Sequence, residues 1–592
     1  MTGWISRTLT RLSAPPPAPT VEPLPEAQLR QAVEAAKRTL TEGDFVGARA
    51  ALREIVNSNP EDADALAHYG VAAHMAGDPA DGRIALARAV QINPDHFIAQ
   101  KFLAVVCDAL GDLHRLEAAA RNALRLAPRD RDALNLYGIA CMNRFQVEEA
   151  AKSFNAAIEA APNDMAALMN LELLSARSLQ DRRTLEYSPK VAAARAQTIN
   201  RLRAQFRRNQ LDDAGLRSLL LLLAGAKDTF PSAVEIARKV AEREEFPTLL
   251  ADQLSGIFIN IGDAATAERF RKIVVEQDPN LPLTKTNLAH ARLVSGYDNW
   301  LENWKTIQAE ERSANLGVFA SEVPSWTGQR LGRKKLLVYQ EQGIGDAILA
   351  LRMVPMLAKR GAQFDLWVLP PLAGLAGSVK GYQNLIRTNT RPDARTLGCE
   401  YVSTLYGLIT GLGASHEELA RNPTVLAPSP DRATATRNRL RTLPGRRIGL
   451  AYGGNPNRRD DWARAIPPSA LKPLAGLAGI SWVNLVIDNR PDKAEVIQMF
   501  GMDDPMGDSK DFEDTAAIIS ELDAVIAIDS SVAHLSCSLG KPVWVLVPPM
   551  LDWRWQIGED TRPWWPNATL LRSASMGQWD SVIEELSRQV RG

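Results

Sequence analysis

The apolar positions between residues 28 and 180 fall into short helical segments, each closed by a proline. Those prolines, Pro60, Pro94, Pro128 and Pro162, are spaced by a constant 34 residues. Small residues recur where two helices of a unit must cross closely: Gly70, Ala104 and Gly138 in the first helix, Ala48, Gly82 and Ala150 in the second. The turn between the helices carries Gly43-Asp44, Gly77-Asp78 and Gly111-Asp112, and Ile55, Ala89, Ala123 and Ala157 end the pattern. A helix-turn-helix of this length is the tetratricopeptide pattern. One unit cannot bury its own apolar face, so stacked units share a core and leave a groove that suits a polypeptide. Lys101, Asp108, Asn135 and Met142 fall at groove-facing positions.

The repeat then loosens. A further unit is recoverable at 248–281, with Gly262-Asp263, Ala267 and Pro279, and a partial one starts near Pro282, with Ala289 and Gly296. Residues 185–247 mix three- and four-residue apolar spacing and read as packed helices. From 334 the texture changes to short apolar runs, each followed by a helical pattern: KKLLVYQ, AQFDLWVL (362–369), RRIGLAYGG (446–454), SWVNLVI (481–487), AVIAID (524–529) and PVWVLV (542–547). Alternation of this kind predicts parallel sheets with right-handed crossovers. The expected organisation is a Pro-rich arm at 1–27, repeats at 28–180, a helical connector at 181–325, and two Rossmann-like lobes at 334–440 and 441–592.

Composition narrows the function classes. Lys+Arg and Asp+Glu are both 69, so the basic excess of a generic nucleic-acid or anionic-membrane binder is missing. No apolar run approaches the roughly 18 residues of a membrane span, and the amphipathic N-terminus MTGWISRTLTRLS lacks an apolar signal region. The expectation is a cytoplasmic protein without stable membrane insertion. Cys107, Cys141, Cys399 and Cys537 show no CxxC spacing and read as buried free thiols.

Three strand-to-helix turns carry candidate chemistry. In EQGIGD (341–346), Gly343 and Gly345 allow a close backbone approach, and Asp346 stands at the helix start, either as an N-cap or as a functional acid. AYGGNPNRRDDWAR (451–464) offers Gly454, Asn455 and three arginines, Arg458, Arg459 and Arg464, as a binding loop or as a solvated one. In DSSVAHLSCSLGKP (529–542), Asp529 is followed by Ser530 and Ser531, which cap a helix whose free N–H groups favour an anion, and His534 lies one turn on. The expected occupant is the phosphate of a nucleotide-sugar. The acidic pairs at 460–461 and 503–504 lie in loops, so no metal site is expected. The tryptophans 553, 555, 564 and 565 either stack a sugar or base or pack the lobes together, packing being favoured.

On EQGIGDAILALR, LAYGGNPNRRDDWARAIP, AIDSSVAHLSCSLGKPVWVLVP and DWRWQIGEDTRPWWPNATLLR, the chain resembles glycosyltransferases of the GT-B fold similar to lipopolysaccharide heptosyltransferases, fused behind tetratricopeptide repeats. It departs from that pattern at Ser531 and Cys537, where small apolar residues are usual. The resemblance implies an inverting, metal-independent transfer with Asp346 as base and Asp529, Ser530, Ser531 and His534 at the donor. The repeat-fused architecture is similar to flagellin-modifying transferases of the FlmG type. That similarity implies a CMP-linked nonulosonic acid such as pseudaminic acid as donor, no further cofactor, and flagellin Ser/Thr as acceptor. The other readings are transfer to a lipid-linked or polysaccharide acceptor, and a non-catalytic repeat scaffold. Asp346 and the Ser-Ser-His turn argue against the scaffold.

Overall fold

The computed structural model describes residues 23–144, 146–162, 165–177, 189–279, 281, 283–296, 298–313, 323–421, 426–456, 461–487, 490–550, 552–555 and 564–591. The N-terminal arm up to residue 22, Pro282, Arg458 and Arg459 therefore lie outside the described residues. The chain forms two compact units that divide between Thr198 and Ile199, leaving aside residues 179–184.

The first unit is all helical. Paired helices such as Ala63–Met75 with Pro79–Ile92, and Phe97–Ala109 with Leu113–Leu126, repeat along it. The Gly-Asp turns have a direct physical cause. Gly43, Gly77 and Gly111 adopt φ of +89°, +90° and +70°, a region that a Cβ disfavours. The next residue caps the second helix: the Asp44, Asp78 and Asp112 carboxylates accept from the N–H groups of Gly47, Asp81 and Arg115. The small residues at the crossings are also required. A Cβ at Gly138 would stand 2.4 Å from the fully buried Phe154 ring. Gly138→Ala is therefore expected to lower the repeat unit's stability by about 1–3 kcal/mol, read as an earlier thermal transition of that unit. On the first helices, Lys101 bonds Asp132 at 3.2 Å, and Asn170 donates to Asn135 at 3.0 Å.

The second unit opens with helices and continues as α/β. The segment 199–313 contains Asp213–Ala224, Phe230–Val240, Thr248–Asn260, Ala264–Gln277, Thr284–Ser295 and Trp300–Ser313. Gly262 (φ +82°) and the capping Asp263 repeat the Gly-Asp device. LRSLLLLL is core, with Leu219, Leu220, Leu222 and Leu223 fully buried.

Two parallel sheets follow. The first consists of β1 (Lys335–Tyr339), β2 (Gln363–Val368), β3 (Leu385–Arg387) and β4 (Tyr401–Thr404), in the order β3-β2-β1-β4. The second consists of β5 (Arg446–Ala451), β6 (Ile480–Asn484), β7 (Ala524–Ile528), β8 (Val543–Val547) and β9 (Ala568–Arg572), in the order β6-β5-β7-β8-β9. Helices cover both faces, so β7 is buried at every position, which explains its unbroken apolar run. Strand order reverses between β1 and β4 and again between β5 and β7. Such switch points open a crevice beyond the strands' carboxyl ends, where ligands bind in these folds.

The four cysteines are free and buried, and burial pushes the Cys107 and Cys399 thiols up to about 11. Among the described residues, no helix is long and apolar enough to cross a membrane.

Candidate functional site

The two loops at the second switch point are the ones that the sequence singles out. After β7, Asp529 leads into the helix Ser531–Ser538. Ser530 holds the N-cap position, but its side chain makes no cap bond, which corrects the expected role of its hydroxyl. Instead, Ser530 Oγ is buried with no partner among the described residues. After β5, the chain reaches the short helix Asp461–Arg464. Arg464 donates from Nη2 to the backbone oxygen of Asp529, and the same nitrogen lies 3.7 Å from Asp529 Oδ2. Arg464 Nε, like Ser530 Oγ, is buried without a partner among the described residues. Burial pushes the Asp529 carboxyl up, but the cations of Arg464 and Arg554 outweigh it and leave it below the usual range.

Gly454 and Asn455 lie in the loop after β5, the first half-buried and the second exposed. A Cβ at Gly454 would meet nothing within 4 Å, so space does not demand glycine there. It does so at Gly453, where a Cβ would lie 2.7 Å from Arg490. Arg490, which the sequence reading passed over, holds the loop by bonds to both Asp461 oxygens at 2.9 Å, to Asp492 at 3.1 Å and to the Gly454 carbonyl at 3.0 Å. Asp461, Asp503 and Asp504 are engaged, Asp503 with Arg439 and Asp504 with Asn484. Among the described residues, no group of three or more His, Cys, Asp or Glu is placed to hold a metal.

At the first switch point, the loop after β1 leads into the helix Ile344–Ala350, capped at the position of Gly343. Asp346 is the third residue of that helix and not its cap. Its Oδ1 accepts from the Tyr406 hydroxyl at 3.0 Å and from Arg554 Nε at 3.0 Å and Nη2 at 2.6 Å. Its Oδ2 takes part in none of these bonds and faces the Gly343 turn, where a Cβ would stand 3.4 Å away. Arg554 also bonds Asp552 from Nη1, and its guanidinium is held well above its ordinary range by Asp346 and Asp552 despite burial. Burial pushes the Asp552 carboxyl up in spite of Arg554. Arg554 lies inside the DWRW motif, and its bond to Asp346, 208 residues away, leaves no local signal in the sequence.

The two switch points meet at Gly345. A Cβ there would stand 3.2 Å from His534 Cδ2 and 3.3 Å from Ser531 Cα. The structure thus uses this glycine to let the two helix starts touch. His534 is 3% exposed and stacks on Trp555 with ring centroids 5.0 Å apart and an interplanar angle of 12°. The Trp565 indole N–H donates to His534 Nδ1 at 3.1 Å, so the neutral ring carries its proton on Nε2, 3.9 Å from Asp529 Oδ1. All four tryptophans are buried; Trp553 and Trp564 pack on Trp300 of the connector.

Burial pushes His534 down to about 4, and it does the same to His290. Below pH 6.5 the unfolded chain binds protons at these positions that the folded chain does not, so stability falls as pH drops from 6.5 towards 4. Burial raises Glu341 to about 8, which acts in the opposite sense: stability falls as pH rises from 4.5 to 8. His534→Asn is therefore expected to flatten the acid limb by about 1.4 kcal/mol per pH unit. Urea midpoints at pH 4.5 and 6.5 check this.

The comparisons with known proteins agree with the first unit. The tetratricopeptide repeat family model matches residues 33–97 and 107–164, so this part of the chain is built of that repeat, an architecture for protein–protein interaction. Among individual proteins, Protein FlbA of Caulobacter vibrioides is 21% identical over 331 residues, 52% of this chain and 55% of that protein. The chain thus spans about half the length of this curated relative. Of solved structures, a tetratricopeptide repeat protein from Parabacteroides merdae is 15% identical, covering 44% of this chain and 98% of that one with a TM-score of 0.32. MamA from Desulfovibrio magneticus is 18% identical, covering 31% and 98%, with a TM-score of 0.25. At those scores the structural likenesses carry no functional weight.

Proposed function

We propose that the second unit is a glycosyltransferase of GT-B architecture and that the repeats hold its protein acceptor. The observation that carries this reading is the pair of buried polar groups without a partner among the described residues, Ser530 Oγ and Arg464 Nε, at the switch point between β5 and β7. A crevice whose described residues leave a hydroxyl and a guanidinium nitrogen unpaired suits a polar ligand. A helix N-terminus beside them makes that ligand an anion, such as the phosphate of a nucleotide-sugar. Asp346 reaches the same place from the other sheet, because Gly345 brings its helix against Ser531.

In this reading Asp346 takes the proton from an acceptor hydroxyl. The hydroxyl oxygen bonds the anomeric carbon as the bond to the phosphate oxygen breaks, with inversion. The N–H groups at the start of helix Ser531–Ser538 and Arg464 meet the charge left on the phosphate. Arg554 and Tyr406 hold Asp346 by one oxygen and leave the other for the proton. Following the resemblance in the sequence, the donor is a CMP-linked nonulosonic acid and the acceptor is Ser/Thr of flagellin. Isothermal titration of the full chain with CMP, UDP and ADP tests the donor site. We expect one nucleotide to bind, and Arg464→Ala to weaken it at least 10-fold. Binding of none, or equal binding by the variant, overturns this donor site.

A further inference from the structure

A cavity of about 110 Å³ opens beside Asp346, at the crevice where β1 and β4 diverge. The β1 and β4 loops give it Glu341, Gln342, Thr404 and Tyr406, and the 553–554 turn adds Trp553 and Arg554. The remaining wall comes from the last two helices of the connector: His290 on Thr284–Ser295, with Trp304, Ile307 and Gln308 on Trp300–Ser313. The connector helices are fixed there. Gln308 Nε2 donates to the Tyr406 carbonyl at 2.9 Å, and Trp304 stacks on Tyr406 with centroids 5.4 Å apart. Glu341 is anchored too, accepting from the Leu405 N–H at 3.0 Å and the Tyr406 N–H at 2.8 Å. The cavity thus combines flat aromatic walls with convergent amide, hydroxyl, imidazole and carboxyl groups, the make-up of a site for a small neutral polar group.

We propose that this cavity seats a hydroxyl-bearing side chain, serine or threonine, of a protein segment, and that the connector's His290, Trp304 and Gln308 select it. The transferase reading is needed only for what then happens to the hydroxyl. Two observations point to a side chain and away from the donor. The groups that suit a phosphate, Ser530 Oγ and Arg464 Nε, which have no partner among the described residues, belong to the other sheet's switch point. The outer wall is made by connector helices that follow, in sequence, a tetratricopeptide repeat array, an architecture suited to polypeptides. At neutral pH the cavity is also nearly free of unbalanced charge. Burial keeps Glu341 protonated, with a pKa near 8, and His290 neutral, with one near 4, while Arg554 is paired with Asp346 and Asp552. A neutral hydroxyl, able both to donate and to accept, matches that lining.

Gln342 is exposed at the rim of this cavity, so its substitution blocks or widens the mouth without disturbing the core. The test is saturation-transfer NMR of N-acetyl-serine methylamide and its alanine analogue on the full chain, as wild type, Gln342→Ala and Gln342→Trp. Melting temperatures of the same samples check the fold. We expect transfer to the serine compound with wild type and Gln342→Ala, at least a 10-fold loss with Gln342→Trp, and little transfer to the alanine analogue throughout. Equal transfer to both compounds, no transfer to either, or a serine signal untouched by Gln342→Trp would overturn the pocket. The experiment needs no donor. A pocket that passes in a chain that hydrolyses no CMP-, UDP- or ADP-sugar would stand, while the transferase reading would fall.

Discussion

Arg554→Ala is expected to lower the stability of the second unit by about 3 kcal/mol, the lower end of what breaking a buried ion pair costs. The reason is the company that Arg554 keeps. It bonds both Asp346 and Asp552, and its cation also acts on Asp529. Without it, these carboxylates lose the cation that offsets their burial. The side chain retains 21% exposure, so water recovers part of the loss. Thermal melts of wild type, Arg554→Ala, Asp346→Asn and the double variant form a cycle that reads the coupling. A double variant more stable than Arg554→Ala alone fits the account, because Asp346→Asn then removes a carboxylate left without its cation. Additive losses contradict it.

Asp346→Ala is expected to do the opposite: little harm to the fold and severe harm to turnover. Arg554 keeps its bond to Asp552 when Asp346 is removed, so no cation is stranded. If Asp346 receives the acceptor's proton, transfer slows by about 10²–10⁴-fold. Nucleotide affinity should not move, since the phosphate groups lie on the other sheet. A variant with unimpaired transfer removes Asp346 as the base.

Much of this architecture was legible because its causes are local. The 34-residue step, the Gly-Asp turns and the apolar run of β7 each follow from one backbone requirement repeated in register. β3, β4 and β9 were missed for the converse reason. Leu385–Arg387 and Tyr401–Thr404 are three and four residues long, and Ala568–Arg572 carries no strong apolar run. The fold class reads correctly as a tetratricopeptide solenoid followed by an α/β region with parallel sheets.

The site was legible only in part. Asp346, Arg464 and Asp529–His534 stand at strand ends, where the pattern alone points. Glu341 sat in view inside EQGIGD, but its burial depends on backbone N–H groups 64 and 65 residues away. Tyr406 and His290 follow no motif and reach the cavity through tertiary packing. Gly345 was read as room for a ligand, whereas the space it leaves is filled by the neighbouring helix.

Transfer to protein is tested most directly by the intact mass of flagellin co-produced with this chain in a host that makes nonulosonic acid. A ladder of identical increments is expected with wild type and none with Asp346→Ala. Unmodified flagellin in both, from a folded and expressed chain, would contradict it.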